Sequence, residues 1–201
     1  MRIILASKSP RRRELLSVIT SEFDIETADV DERAIEEGIL AKPGDMIEKS
    51  KEMVLELSKT KAQAILAKYQ AEDVVVIGSD TCVVTSDEIM GKPIDKEDAR
   101  RILRKLSAAE HYVLTGVTIC SPKGTESFYV SSAVQFNSLD AYQEELIERY
   151  IDTDEPYDKA GAYGIQGNGM LLIEGIKGDY YNIMGLPVNR VARELKRLGI
   201  I

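Results

Sequence analysis

The chain of 201 residues lacks several residue types on which common enzyme sites depend. It has no tryptophan, one histidine and two cysteines. A histidine-rich metal site is therefore excluded, and a catalytic triad would have to use His111, for which we expect a structural role at the start of a strand. Cys82 and Cys120 lie in separate strand-like apolar runs, so we expect both to be buried and reduced.

Long apolar segments and an excess of positive charge are also lacking. No run is long enough to cross a bilayer, and the apolar residues at the start are too few for the core of a signal peptide, so we expect a cytoplasmic protein. The 26 Lys and Arg are outnumbered by 34 Asp and Glu, which gives a net charge of −8. Neither a nucleic acid nor a membrane is therefore an expected partner.

Two glycine-rich nucleotide-binding motifs are missing as well. Lys92 follows a glycine but precedes a proline, and the glycine spacing of a P-loop is not found before it. The glycines between residues 161 and 169 do not match the dinucleotide fingerprint, which would need a glycine at Leu172. These differences exclude ordinary P-loop and Rossmann proteins.

Strand-like and helix-like apolar patterns alternate along the chain, which predicts a mixed α/β protein. Strands are predicted at residues 3–6, 23–27, 74–77, 112–120, 128–136 and 171–174, and around Tyr180. Helices are predicted from Pro10, at 45–69, after Asp95, at 139–150 and from Pro187. Residues 29–32 are predicted to be a loop, followed by a polar segment up to Gly44, and turns are predicted at 86–88 and 122–124.

Residues 7–16 (SKSPRRRELL) give the strongest sign of a ligand site. Pro10 suits the first position of a helix, yet three arginines follow in the first turn, where the helix dipole favours acidic residues. Backbone N–H groups, the dipole and the basic cluster together predict a site for a highly charged anion, and we expect a polyphosphate. Because three adjacent arginines cannot all face one site, at least one should be exposed.

Asp80 and Lys61 each admit two interpretations. Asp80 lies at or just past the carboxyl end of the apolar strand at 74–77, where α/β sheets bind ligands. The alternative is a turn residue that bonds its own backbone, which the apolar run starting at Cys82 makes less convincing. Lys61 falls in the middle of an apolar helix stripe, so either its stem packs while the ammonium reaches the surface, or this face borders a cleft and the ammonium meets an anion.

Charges of both signs fit phosphoryl chemistry, because cations offset phosphate charge while carboxylates hold a divalent ion or orient water. The candidate cations are Lys8, Arg11, Arg12, Arg13, Lys61 and Lys92, and the candidate carboxylates are Asp31, Glu32 and Asp80. The glycine-rich residues 158–169 either approach a ligand closely or form a flexible surface loop. The residues alone predict a polyphosphate-binding α/β domain and leave its dependence on a metal open.

Eight ordered segments resemble the motifs of the Maf family of nucleoside triphosphate pyrophosphatases, and the resemblance covers nearly the whole chain. The segments are 7–16 (SKSPRRRELL), 29–32 (DVDE), 61–64 (KAQA), 77–81 (IGSDT), 91–93 (GKP), 158–167 (DKAGAYGIQG), 178–182 (GDYYN) and 185–187 (GLP). Ala108 and Cys82 depart from the family pattern, which usually has a glycine and an aliphatic residue at these positions.

The resemblance implies hydrolysis of a nucleoside triphosphate to the monophosphate and pyrophosphate, aided by a divalent cation, Mg²⁺ or Mn²⁺. It implies Asp80 as the proton acceptor and four phosphate-binding residues, Ser7, Arg12, Lys61 and Lys92. Glu32 is implied as a further acid and, with Asp80, as a candidate metal ligand. The implied structure is a single α/β domain over residues 1–201 with a Maf/ITPase-like fold, in which an elongated mixed sheet flanked by helices forms two lobes around a central cleft.

Arg11, Thr81 and Gln166 match three positions at which branches of the family differ. Arginine, threonine and glutamine there resemble the branch that acts on dTTP and UTP, whereas the 7-methyl-GTP branch has tryptophan, glutamine and glutamate. A glutamine amide also suits a uracil or thymine edge, because it both donates and accepts hydrogen bonds. The resemblance further implies a homodimer, and it leaves two alternatives: a nucleotide-sensing regulator of septum formation and cell division, and a 7-methyl-GTP pyrophosphatase.

Overall fold

The computed structural model describes residues 1–69, 73–107, 109–121 and 124–201. Within these residues, seven strands form one mixed sheet with helices packed on it, which confirms the predicted mixed α/β fold. The strands are β1 (Arg2–Ala6), β2 (Asp24–Glu26), β3 (Val74–Val84), β4 (Ile89–Met90), β5 (His111–Ser121), β6 (Gly124–Phe136) and β7 (Ile173–Lys177). The α-helices are α1 (Pro10–Ser17), α2 (Glu32–Leu40), α3 (Met46–Leu66), α4 (Lys96–Ser107), α5 (Ala141–Ile151), α6 (Tyr180–Met184) and α7 (Val188–Arg197).

The central strand β3 is longer than its parallel neighbour β1, and this difference creates the site. The sheet order is β2-β1-β3-β5-β6-β7, with β4 paired to the far end of β3. The pairing of β1 with β3 ends at Ala6 opposite Gly78. The pairing of β4 with β3 begins only at Val83. Between them, residues 79–82 pair with β5 alone. The prediction that the strand ends near Ile77 is therefore wrong, because Asp80 lies in the middle of a continuous strand, just beyond the end of β1.

Both faces of β1 and β3 are covered, which explains their continuous apolar sequences. Ile3 and Leu5 pack on the side of α1 and α7, while Ile4 and Ala6 pack on the side of α3. Cys82 and Cys120 are buried free thiols, as expected. Burial raises the pKa of both thiols, which disfavours the reactive thiolate.

Two glycines let α3 lie directly on the sheet. A Cβ atom at Gly78 would lie 2.1 Å from the backbone oxygen of Ser58, and one at Gly116 would lie 2.2 Å from that of Val54. The helix and the strands are thus in backbone contact at both points. This approach places Lys61, about one turn after Ser58, directly over the polar middle of β3.

Two further differences from the sequence analysis concern short helices. The polar segment up to Gly44, to which no element is assigned from the sequence, contains α2, whose N-cap Asp31 accepts a hydrogen bond from the backbone N–H of Ala34 at 3.0 Å. The strand predicted around Tyr180 is the short helix α6. It begins after Asp179, which caps the N–H of Tyr181, and it ends at Gly185, whose φ of 111° belongs to the left-handed region.

The glycine-rich segment and the helix lengths complete the fold. Instead of a featureless loop, residues 156–172 contain three 3-10 turns, Pro156–Asp158, Ala160–Ala162 and Gly167–Leu172. No helix among the described residues is long and apolar enough to span a membrane. Ala108, Pro122 and Lys123, which the sequence analysis named, lie outside the described residues.

Candidate active site

A cleft of about 1200 Å³ opens above the polar middle of β3. Its lining comes from the turn after β1, from α1, α2 and α3, and from residues 155–167 and 183–185. The predicted site residues that line it are Ser7, Lys8, Arg11, Arg12, Glu32, Lys61, Asp80, Thr81, Lys92 and Gln166. Their individual roles remain predictions, but the fold brings all of them to one cavity.

Arg12 is fixed by neutral oxygen atoms. Its Nε donates to the backbone oxygen of Gly185 at 2.8 Å, and its Nη1 donates to the backbone oxygen of Ser79 at 2.8 Å and to Ser7 Oγ at 3.4 Å. Its Nη2 donates to Thr81 Oγ1 at 2.9 Å. The Ser79 carbonyl is available because this part of β3 has no strand partner on that side. None of these acceptors is charged, so they hold the guanidinium without neutralising it.

Lys61, by contrast, is held by carboxylates inside the cleft. Its Nζ lies 2.7 Å from Asp80 Oδ1 and 3.0 Å from Glu32 Oε2. The side chains of Lys61 and Asp80 are only 12% and 14% exposed, whereas that of Glu32 is 49% exposed. The structure therefore favours the cleft interpretation of Lys61 over the one in which its ammonium extends to the outer surface.

The electrostatic environment makes Asp80 a stronger base than an ordinary aspartate. Burial raises the pKa of Asp80 above its usual range, and the charges of Lys61 and Arg12 limit this rise. Glu36 lies one turn after Glu32 on α2 and also lines the cleft. Burial raises the pKa of Glu36 as well, and the negative charges of Asp80 and Glu32 add to the effect.

The segment around residues 155–167 supplies the second part of the lining. Arg11 reaches across to it, with Nη1 3.4 Å from Asp158 Oδ2. The backbone N–H of Gly161 donates to the carbonyl of Gly91 at 3.0 Å, and its φ of 73° requires glycine, since a Cβ there would lie 2.8 Å from Val83. These contacts tie the segment to the end of β3. Gln166 and Lys92 are exposed within the cleft, where a ligand can reach both.

His111 has the structural role that the sequence predicts. Its Nε2 lies 2.9 Å from the hydroxyl oxygen of Tyr163, and its ring makes edge contacts with Phe136 and Tyr163. Burial lowers the pKa of His111 to about 4, so the ring is neutral at physiological pH. Arg13 is the exposed member of the arginine cluster and lies outside the cleft lining.

Sequence reasoning missed Glu36 and gave no role to Asp158. Glu36 would have been found if α2 had been recognised, because residues four apart share a helix face and Glu32 was already a candidate. Ile35 and Ile39, with the capping residue Asp31, were the available signal for that helix. The contact of Asp158 with Arg11 spans 147 residues of sequence, so no local pattern predicts it.

The acidic residues fit a hard divalent cation that is bound partly by a ligand. No group of three or more His, Cys, Asp and Glu that could hold a metal by itself is found among the described residues. Glu32 and Asp80 both contact the ammonium of Lys61, so a position for a positive charge already exists between two carboxylates. Mg²⁺ is commonly held by one or two carboxylates together with phosphate oxygens. The carboxylates of Glu32 and Asp80 could supply the protein's share of such a coordination shell.

Comparison with known proteins gives one family. The family model described as "Maf-like protein" matches residues 2–198. A protein of Geobacillus sp. (strain WCH70) is 45% identical over 98% of both chains, and one of Dictyoglomus thermophilum is 44% identical over 98% of this chain and 96% of its own. A protein of Clostridioides difficile is 43% identical over 98% and 95%. Each of these relatives is named dTTP/UTP pyrophosphatase.

Among solved structures, the Staphylococcus aureus Ham1 protein is similar over 68% of this chain and 72% of that chain, with 15% identity and a TM-score of 0.42. This likeness is too weak to support a conclusion. The full-length family match and the relatives at more than 40% identity are sufficient without it. The chain belongs to the Maf family.

Proposed function

We propose that this chain hydrolyses dTTP and UTP to the corresponding monophosphate and pyrophosphate. Its full-length relatives carry that activity in their names. In the structure, the observation that carries the proposal is Asp80, whose carboxylate is only 14% exposed, contacts Lys61 and is influenced by the charge of Arg12 in a cleft large enough for a nucleotide.

In the proposed reaction, Asp80 takes a proton from a water molecule whose oxygen attacks the α-phosphorus. The bond between that phosphorus and the oxygen bridging to the β-phosphate breaks, and pyrophosphate leaves with the electron pair. The raised pKa of Asp80 supports this role, because a general base works best when its pKa approaches the working pH.

The cations of the cleft serve the triphosphate. Lys61 and Lys92 bind phosphate oxygens, Arg12 supplies a fixed positive charge beside Asp80, and Ser7 donates its hydroxyl. Since Lys61 is held by Asp80 and Glu32 alone among the contacts described, it can exchange these carboxylates for phosphate oxygens when the substrate enters.

Of the three predicted specificity residues, Arg11, Thr81 and Gln166, this proposal assigns the border of the base to Arg11 and Gln166. The exposed amide of Gln166 can pair with the carbonyl and N–H edge of uracil or thymine, which presents one acceptor beside one donor. Arg11 reaches the same segment of chain through Asp158, so the two residues border one part of the cleft.

A divalent cation, Mg²⁺ or Mn²⁺, is part of the proposal. Glu32 and Asp80 would hold it together with phosphate oxygens, and it would offset negative charge on the phosphates that develops during the reaction. Removal of metal with EDTA should abolish turnover, and either cation should restore it. Full activity in excess EDTA would contradict this part of the proposal.

A substrate panel tests the proposed reaction. The purified chain is incubated with dTTP, UTP, CTP, GTP and 7-methyl-GTP in the presence of Mg²⁺ or Mn²⁺, and the products are separated by anion exchange. We expect dTTP and UTP to give the monophosphate and pyrophosphate fastest. Orthophosphate as the first product would contradict the reaction, and faster hydrolysis of GTP or 7-methyl-GTP would contradict the substrate class. The homodimer and the cytoplasmic location stay predictions.

A further inference from the structure

Thr81 lies in the cleft, but its hydroxyl group already donates one hydrogen bond and accepts another within the protein. Its Oγ1 accepts a hydrogen bond from Nη2 of Arg12 at 2.9 Å and lies 2.9 Å from Oγ1 of Thr115. Thr115 in turn donates its hydroxyl proton to the backbone oxygen of Asn182 at 2.8 Å. The proton shared by the two threonines must therefore be that of Thr81, which fixes the direction of every bond in the series.

The far end of this series is anchored firmly. Asn182 is fully buried in α6, and its Nδ2 donates to the backbone oxygen of Val113 at 2.9 Å and to Ser132 Oγ at 3.0 Å. The carbonyl of Gly185, the cap residue that follows α6, accepts from Nε of Arg12 at 2.8 Å. The end of α6 therefore holds Arg12 twice, once directly and once through the two threonines.

We propose that Thr81 and Thr115 are positioning residues, which hold the guanidinium of Arg12 beside Asp80 and do not themselves contact the nucleotide. This inference rests on the proposed function, since it explains how a residue at one of the branch-specific positions affects the reaction. A group that already donates one hydrogen bond and accepts another has little capacity left to read a base. Thr115, a residue of β5 outside all eight family-like segments, becomes a functional residue on this view.

A matched pair of substitutions in β5 separates positioning from stability. Thr115→Val removes the acceptor of Thr81 while keeping the side-chain shape. Thr118→Val is the control, because Thr118 is equally buried in the same strand, and its hydroxyl lies 2.9 Å from those of Ser58 and Ser127, away from Arg12. Both variants should lose thermal stability to a similar extent, so stability alone cannot explain a difference in activity.

We expect Thr115→Val to lower kcat/KM for dTTP and UTP about fivefold, the loss that one hydrogen bond predicts, while Thr118→Val leaves kcat/KM unchanged. Thr115→Ser, which keeps the hydroxyl, should restore wild-type values. Equal kcat/KM values for the two valine variants would overturn the inference.

Thr81→Val distinguishes positioning from base recognition. If Thr81 acts through Arg12, this variant lowers kcat/KM for dTTP, UTP and CTP by one common factor. A change in the ratio among these substrates that Thr115→Val does not share would mean that Thr81 contacts the base, and the inference would be wrong.

A second measurement does not depend on catalysis. The Nη2–H signal of Arg12, which donates to Thr81 and is assigned by its loss in Arg12→Lys, should be protected from solvent exchange in wild type and Thr118→Val and exposed in Thr115→Val. Unchanged protection in Thr115→Val would contradict the inference even if the wild-type chain proved inactive on every triphosphate. Inactivity of the wild type would instead contradict the proposed function, so the two failures can be told apart.

Discussion

Two cations, Arg12 and Lys61, act on the charge of Asp80, and the protein holds them in different ways. On the arginine side, formed by α1, β3 and α6, Arg12 donates to carbonyl and hydroxyl oxygens that carry no charge. On the lysine side, formed by α2 and α3, Lys61 contacts the carboxylates of Asp80 and Glu32. The contacts of Arg12 fix its guanidinium in position and leave its positive charge unneutralised. The contacts of Lys61 neutralise the positive charge of its ammonium.

This difference assigns different tasks to the two sides. A triphosphate competes poorly for Arg12, because at least four side-chain N–H groups already have partners in the protein. It competes well for Lys61, since phosphate oxygens can replace carboxylate oxygens at the same ammonium. We therefore expect the arginine side to remain in place during binding and the lysine side to rearrange.

Asp80→Asn should give the largest effect, because it removes the group that both sides share. We expect kcat to fall by about 10³-fold, within the range for loss of a general base. The measurement is pyrophosphate release from dTTP at saturating substrate. Activity within tenfold of wild type would remove Asp80 from the proposed role.

The stability of Asp80→Asn serves as the control for its loss of activity. The pKa of Asp80 is raised above its ordinary value of 3.8, so its contribution to stability is complete below pH 3.8 and is lost as pH rises through the folded-state pKa. Asp80→Asn should therefore be at least as stable as wild type at pH 7. The difference in Tm should vanish below about pH 3.8. A large loss of stability at pH 7 would mean that the variant disturbs the fold.

Lys61→Met tests the lysine side and should give the second largest effect. We expect kcat/KM to fall about 100-fold, as for removal of one charged donor to a reacting phosphate. The acid limb of the kcat/KM–pH profile should also move to higher pH, because the charge of Lys61 lowers the pKa of Asp80 and the substitution removes that charge. Lys59→Met is the matched control, since Lys59 is exposed on the same helix. Equal kinetics for these two variants would refute the proposed role of Lys61.

Arg12→Lys tests the arginine side, where activity and stability should fall together. Lysine keeps the charge but has no planar fork, so the carbonyls of Ser79 and Gly185 cannot both keep their donor. We expect a loss of about 2 kcal/mol in the free energy of unfolding and about tenfold in kcat/KM. Urea denaturation measures the first quantity. Arg13→Lys, at the exposed neighbouring position, should change neither, and a similar result for the two variants would contradict the fixed arginine side.

The arginine side was partly predictable from the sequence, because its signals are local. Pro10 and the capping residue Ser9 mark the start of α1, and the arginines in the first turn conflict with the helix dipole. The partners of Arg12 were not predictable, since Ser79 and Gly185 lie 67 and 173 residues away in the chain. Their approach depends on β3 extending past the end of β1, and sheet register is a tertiary property.

The lysine side was harder to predict, because one of its two helices was missed. The long helix α3 was expected from its apolar spacing and from Asp45, but Lys61 reaches Asp80 only because Gly78 and Gly116 admit the helix backbone. In the sequence, those glycines resemble strand ends or bulges as much as sites of close approach. The short helix α2 has a single buried residue, Ile39, so its apolar pattern is weak.

Glu36→Gln gives the smallest effect and examines the residue that the sequence analysis missed. The negative charge of Asp80 raises the pKa of Glu36, and like charges act on each other, so Glu36 must also oppose the ionisation of Asp80. Its removal should move the acid limb of the kcat/KM–pH profile to lower pH and leave the plateau unchanged. Glu37→Gln, an exposed neighbour paired with Arg33, is the control and should leave the profile unaltered. If Glu36→Gln instead needed a higher Mg²⁺ concentration for half-maximal activity and the acid limb did not move, Glu36 would be a metal ligand. The lysine side would then hold both the ammonium of Lys61 and a divalent cation.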